Sequence, residues 1–177
     1  MPTDRSSADD FEASFRTAFA TRFPELYRYL DRLCGDAALA SDVAQETFVR
    51  LFGRGEMPDD LRAWLVSVAH NLLRDEYRRN DRQLRLLASR VAVERIGEAP
   101  PEADAELLRE ERRAAVRALL DTLPERDRRL LLLRHAGYSY REIAEALGIA
   151  ATSVGTLLAR ATAAFERALQ GGDHASS

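Results

Sequence analysis

The chain cannot form an internal disulfide, because it has a single cysteine, Cys34, and for the same reason no multi-cysteine zinc site is available. Lysine is missing altogether, so all 26 basic residues are arginine. A bias toward GC-rich codons accounts for that without any functional demand, although arginine also suits phosphate and carboxylate contacts. Aromatic residues make up only 7% of the chain, beside 9 glycines and 6 prolines, which disfavours a turn-rich all-β fold. No apolar run approaches the roughly 20 residues of a membrane span. Met1-Pro2-Thr3-Asp4-Arg5 leads into acidic residues with no apolar signal core, so neither export nor membrane association is expected, and the expected location is the cytoplasm. Phosphate loops, nucleophile elbows and metal-ligand spacings are also lacking, and the three histidines are scattered. The expectation is therefore no enzyme, no cofactor and no metal.

What the chain has instead is Ala, Leu, Arg and Glu, the strong helix formers, and 177 residues suffice for one ordinary domain or two small ones. Apolar spacings of three and four recur. Residues 1–10 read as frayed. Phe11 to Leu33 reads as one helix or two, with Pro24 at the first turn of a second helix or at a kink. A helix from about Leu39 to Phe52 turns Val43, Phe48, Leu51 and Phe52 inward. After the loop Gly53–Asp60, a helix from about Leu61 to Asn80 has Leu61, Leu65, Val68, Leu72 and Leu73 on its inner face. Residues 91–111 carry seven acids against two arginines, and Gly97, Pro100 and Pro101 punctuate them; this is the expected linker. A second helical set follows: Ala105–Leu120, Glu125–Ala136, Ser139–Leu147 and Ala151 to about Leu169, then a disordered tail from Gly171. The predicted fold is all-α. Two small helical domains, 11–90 and 105–170, are joined by an acidic linker at 91–104, and the second is a helix-turn-helix domain.

Three constellations carry chemistry. Ser139 and Glu142 have capping-box spacing, Gly148 supplies the positive φ of a tight turn, and Ile143, Ala144, Ile149, Val154, Leu158 and Ala161 make an apolar seam. That is the pattern of a helix-turn-helix whose second helix enters a major groove, although an ordinary αα-corner shares it. The outward positions of the second helix are Thr152, Ser153, Gly155, Thr156, Ala159 and Arg160, and Arg160 is the one basic group among them. Modest affinity for isolated DNA is expected. Asp42, Gln45, Glu46 and Val49 share one side of a helix, a face that fits a basic partner or simply faces solvent. Arg62, Val66, His70, Arg74 and Arg78 form a stripe on the next helix, with Trp64, Ser67 and Asn71 beside it. Cations with an aromatic and an amide suit single-stranded or melted nucleic acid. A core tryptophan, a satisfied histidine and a solvated arginine face account for the same residues.

Taken in order, Asp42-Val43-Ala44-Gln45-Glu46-Thr47-Phe48, Leu61-Arg62-Ala63-Trp64-Leu65 with Ala69-His70-Asn71-Leu72, Leu123-Pro124-Glu125-Arg126 with Leu131-Leu132-Leu133-Arg134, and Ser139-Tyr140-Arg141-Glu142-Ile143-Ala144 resemble a bacterial RNA polymerase sigma factor of the extracytoplasmic-function group of the sigma-70 family. The resemblance spans about residues 11–170. It implies that Asp42, Gln45, Glu46 and Val49 dock on the clamp helices of the polymerase β′ subunit. It implies that Arg62, Trp64, Ser67, His70, Asn71, Arg74 and Arg78 bind and open the promoter −10 element, with loop 53–60 cradling a flipped-out base. It further implies that Arg141, Thr152, Ser153, Gly155, Thr156, Ala159 and Arg160 read the −35 element while their domain packs on the β flap, and that the acidic linker threads near the active-site channel. An anti-sigma factor is a further partner for such a protein. Gly155, Leu157 and Ala159 stand where the family often has basic or bulky side chains, and Ala150 replaces its usual capping serine. Two other classes compete. A free-standing helix-turn-helix regulator would bind an operator tightly without polymerase, and an enzyme would show turnover.

Overall fold

The computed structural model describes residues 3–88 and 114–173, with side chains from 9–80 and 114–171. Seven helices and no strand occur among the described residues: α1 Thr3–Cys34, α2 Ala37–Arg54, α3 Leu61–Ala88, α4 (114–121), α5 Glu125–His135, α6 Tyr140–Leu147 and α7 Ala151–Asp173. The linker 91–104 and the first part of the helix expected at 105–120 lie outside the described residues.

Helix α1 is one unbroken element. Pro24 lies inside it, exposed on its outer side, where the missing amide leaves a carbonyl facing water rather than core. The frayed start expected at 1–10 is corrected, since α1 begins at Thr3. Gly35, at φ +72, turns the chain, and the Asp36 side chain accepts a hydrogen bond from the Leu39 amide to start α2. α2 ends on Gly55 in the left-handed conformation. Asp60 Oδ1 accepts from the Ala63 amide at 3.2 Å and starts α3. α1 and α2 pack antiparallel through Leu26, Leu30, Val43, Ala44, Phe48 and Leu51, all buried. The expected inward Phe52 is instead 54% exposed. Leu51 occupies the core direction, so its neighbour is turned about 100° away and leans on Phe15, with ring centroids 5.1 Å apart.

The expected inner face of α3 is also revised. Leu65 and Leu73 are buried, but Ala63, Val66, Ala69 and His70 complete the buried arc, and Leu61, Val68 and Leu72 are half-buried. α2 covers α3 on one side and α6 on another, which widens the buried sector beyond a single stripe. In the second set, Leu130, Leu132, Leu133, Tyr138, Ile143, Val154 and Leu158 are buried, and they join the first set in one continuous apolar cluster. The helix-turn-helix forms as expected. Ser139 and Glu142 make the reciprocal capping box, and Gly148 has φ +64. The Ile149 amide donates to the Ala144 carbonyl at 2.9 Å. α7 continues through Asp173, so Gly171 to Asp173 are helical rather than disordered. No single helix among the described residues is long and apolar enough to cross a membrane.

Candidate nucleic-acid interface

The four residues expected to meet a protein partner are displayed together. Asp42, Gln45 and Glu46 are exposed on α2, and Val49 is 63% exposed. Two of them bond within the helix: Gln45 Nε2 donates to Ser41 Oγ at 3.0 Å, and Arg50 Nε donates to Glu46 at 3.1 Å. Exposed pairs of this kind contribute little to stability, so the face is available to a partner at small cost.

The α3 stripe is divided. Asn71, Arg74 and Arg78 are exposed, and Arg74 Nη2 donates to Asn71 Oδ1 at 2.7 Å. Tyr77, not anticipated from the sequence, is also exposed between the two arginines. His70, by contrast, is buried and shares a 2.6 Å hydrogen bond with the Tyr29 hydroxyl. Burial lowers its pKa to about 3, helped by the charges of Arg129 and Arg74, so the ring is neutral at pH 7. Burial pushes the Tyr29 hydroxyl well above its ordinary range. In this arrangement His70 cannot touch nucleic acid. Trp64 is half-buried against the core, and Val66 is fully buried.

Arg62 is the centre of a junction. Its Nε donates to Glu25 Oε1 at 3.1 Å, its Nη2 pairs with the same carboxylate, and its Nη1 donates to Glu142 Oε1 at 3.0 Å. Its guanidinium carbon lies 4.0 Å from the Tyr138 ring centroid, a cation–π distance. Although burial works against it, bonding to Glu25 raises the Arg62 pKa. Burial also works against ionised Glu142, but hydrogen bonds from Ser139 and the charge of Arg62 bring its carboxyl below the ordinary value. Ser67 Oγ donates to the Ala146 carbonyl at 3.4 Å, and Arg141 pairs with Asp60 at 3.1 Å. Two side chains assigned to DNA from sequence, Arg62 and Ser67, are thus engaged inside the chain, whereas Arg141 keeps a side chain that is 78% exposed.

On the second helix of the helix-turn-helix, Thr152, Thr156, Ala159 and Arg160 are exposed, and Ser153 and Gly155 are half-buried. A Cβ on Gly155 would meet Tyr140 Cε2 at 3.5 Å. Tyr140 is itself exposed, with Arg134 5.6 Å from its ring centroid. These two residues, not anticipated from the sequence, are both exposed, and a tyrosine directly after a capping serine was a signal that could have found one of them. Another feature absent from the sequence reading is a groove of about 600 Å³ between α1, α4, α5 and α7, with Arg28, Arg32, Arg117 and His135 around Leu131 and Phe165. No cluster of metal-ligating side chains occurs among the described residues.

This arrangement can be set beside known proteins. Residues 19–83 match the family described as Sigma-70 region 2, and residues 113–164 match Sigma-70, region 4. The chain is 33% identical over 164 residues to the ECF RNA polymerase sigma factor EcfG of Rhodopseudomonas palustris, covering 90% of this chain and 81% of that protein. It is 34% identical over 166 residues to the ECF RNA polymerase sigma factor SigL of Mycobacterium tuberculosis, covering 89% and 90%. Its fold is similar to sigma factor RpoE of Bartonella quintana, solved in complex with the anti-sigma factor NepR, with TM-score 0.67, 21% identity and coverage of 89% and 97%. It is equally similar to CnrH, solved with the cytosolic domain of CnrY, with TM-score 0.67, 23% identity and coverage of 95% and 97%. Region 2 and region 4 in order along one helical chain, together with these relatives, place it: the chain belongs to the extracytoplasmic-function group of the sigma-70 family, a sigma factor that directs promoter-specific transcription initiation with RNA polymerase.

Proposed function

We propose the following division of labour within that role. Residues 11–90 bind core polymerase and the −10 element, residues 91–104 form the linker, and residues 105–170 bind the −35 element. Asp42, Gln45, Glu46 and Val49 dock on the β′ clamp helices. Asn71, Arg74 and Arg78 meet the −10 strand, with Arg62, Trp64, Ser67 and His70 on the same helix. Arg141, Thr152, Ser153, Gly155, Thr156, Ala159 and Arg160 face the −35 element, and their domain packs on the β flap. The observation that supports this most is the exposed α2 face, where Gln45 and Glu46 bond to neighbours on their own helix. Capturing an unstacked base offsets a few kcal/mol of unstacking, a cost that α3 cations and an aromatic suit. The family is non-catalytic in general, and this chain is read as having no turnover and as working in the cytoplasm. By likeness to the two solved complexes, an anti-sigma factor is read as a further partner.

Run-off transcription with purified core polymerase on a genomic promoter library tests the whole reading. Discrete start sites that vanish when the sigma chain is omitted are expected. Failure to co-elute with core polymerase on gel filtration overturns it.

A further inference from the structure

We propose that the groove between α1, α4, α5 and α7 is a binding site for a small amphipathic anion, a molecule with a carboxylate head and an apolar body of the fatty-acid type. Nothing in this site depends on the promoter-binding reading. Its walls are of two kinds. α1 contributes only polar groups, Arg28, Asp31 and Arg32, and α4 adds Arg117. The rest of the lining, His135 apart, is apolar and includes Val116 and Leu120 from α4, Leu131 from α5 and Phe165 from α7. The volume is about 600 Å³, the size of a small-molecule site rather than of a protein face.

Both kinds of wall are short of partners. Arg28 and Arg32 lie one helical turn apart and are exposed, and neither is paired with a carboxylate among the described residues. Arg117 Nη1 donates to the Gly35 carbonyl at 3.4 Å and likewise holds no carboxylate among them. Asp31 is the one acid of the lining and forms no ion pair with these arginines, so three guanidinium groups face one carboxylate on a chain whose net charge is −3. Elsewhere Arg22, Arg50 and Arg54 hold Glu25, Glu46 and Glu56 at 2.9, 3.1 and 2.8 Å. On the apolar side, Val116 is 48% exposed, and Leu131 and Phe165 are half-buried. An apolar body laid on them leaves water, which is favourable in proportion to the area covered, and a carboxylate takes a guanidinium fork as a bidentate pair. A polynucleotide would need stacking platforms, and Phe165 is the one phenyl ring of the lining among the described residues. An acidic polypeptide would satisfy the charges but leave most of its length outside the groove.

The test is isothermal titration calorimetry of the full chain with decanoate below its micelle threshold, beside acetate as the head alone and decanol as the body alone. One equivalent of decanoate should bind, at least about tenfold more tightly than either control. Arg28→Gln with Arg32→Gln changes only exposed side chains, and Val116→Asp sets a carboxylate against the apolar wall. Each should weaken decanoate binding about tenfold. Absence of saturable heat up to about 1 mM overturns the site, and so does binding that either variant leaves unchanged or that decanol matches. Poly-glutamate binding more tightly than decanoate, with the same dependence on Arg28 and Arg32, overturns the small molecule in favour of an acidic polypeptide. Should a variant lose helical content by circular dichroism, a diazirine-bearing decanoate photolysed on the parent decides. Adducts on the groove residues of α1, α4, α5 or α7 uphold the site, and adducts elsewhere overturn it.

Discussion

Helices α2 and α3 sit side by side and carry two of the proposed contact surfaces, yet they treat their polar residues in opposite ways. On α2 every predicted contact residue faces out, and Gln45 and Glu46 bond to near neighbours on their own helix. On α3 half the predicted stripe is drawn into the molecule, with His70 under Tyr29 and Arg62 between Glu25 and Glu142. The reason is coverage. α2 is packed against α1 and α3 and leaves its outer side open, whereas α3 is flanked by α1, α2 and α6. One of the two proposed surfaces faces outward along its length, and the other is partly covered by α6.

The contrast can be broken most sharply at position 70. His70→Ala removes the partner of a buried hydroxyl and leaves a cavity, so chemical denaturation should show a loss of about 3 kcal/mol. Gln45→Ala on the open face should stay within about 0.5 kcal/mol. Equal effects would erase the distinction between the helices.

Acid sharpens the same point. His70 has a folded pKa of about 3 against an ordinary value near 6.5. The unfolded chain therefore binds its proton first, and stability is lost as pH falls below about 6.5, the loss levelling off near pH 3. By pH 5 the contribution is about 2 kcal/mol. Urea melts at pH 7 and pH 5 should show this slope, and His70→Asn should remove it.

On the open face the expected effect is functional. Glu46→Arg should reduce run-off transcription about tenfold, equivalent to about 1.4 kcal/mol of lost docking, while the melting temperature stays put. The smallest effect is expected on α7, where Gly155→Ala meets Tyr140 only at an ordinary contact distance. It should raise stability by up to about 1 kcal/mol, read by thermal melting.

The parts of this molecule legible in its sequence are those decided within one turn of chain. Ser139 with Glu142 and Gly148 depend on neighbours a few residues away, and the structure has them as expected. Pro24 suggested a break because its local cost is real, but packing of α1 along α2 overrides it. The stripe on α3 was legible as a stripe and misjudged in exposure, because burial of Val66 and His70 is set by other helices. The partners of Arg62 lie 37 and 80 positions away, and no periodicity connects such positions. Phe52 looked like core because an apolar residue at the end of an amphipathic helix is ambiguous by one step of rotation.

The α1–α2 corner has one more consequence. At Gly35 a side chain would be strained by the positive φ and would also come within 2.9 Å of Arg117 Cδ, whose guanidinium Nη1 donates to the Gly35 carbonyl at 3.4 Å. The corner acts as a spacer of zero length between the front and rear of the protein. A side chain there would push the Arg117 side chain aside and break its hydrogen bond to the corner, so a substitution at this bend would be felt at a residue 82 positions downstream.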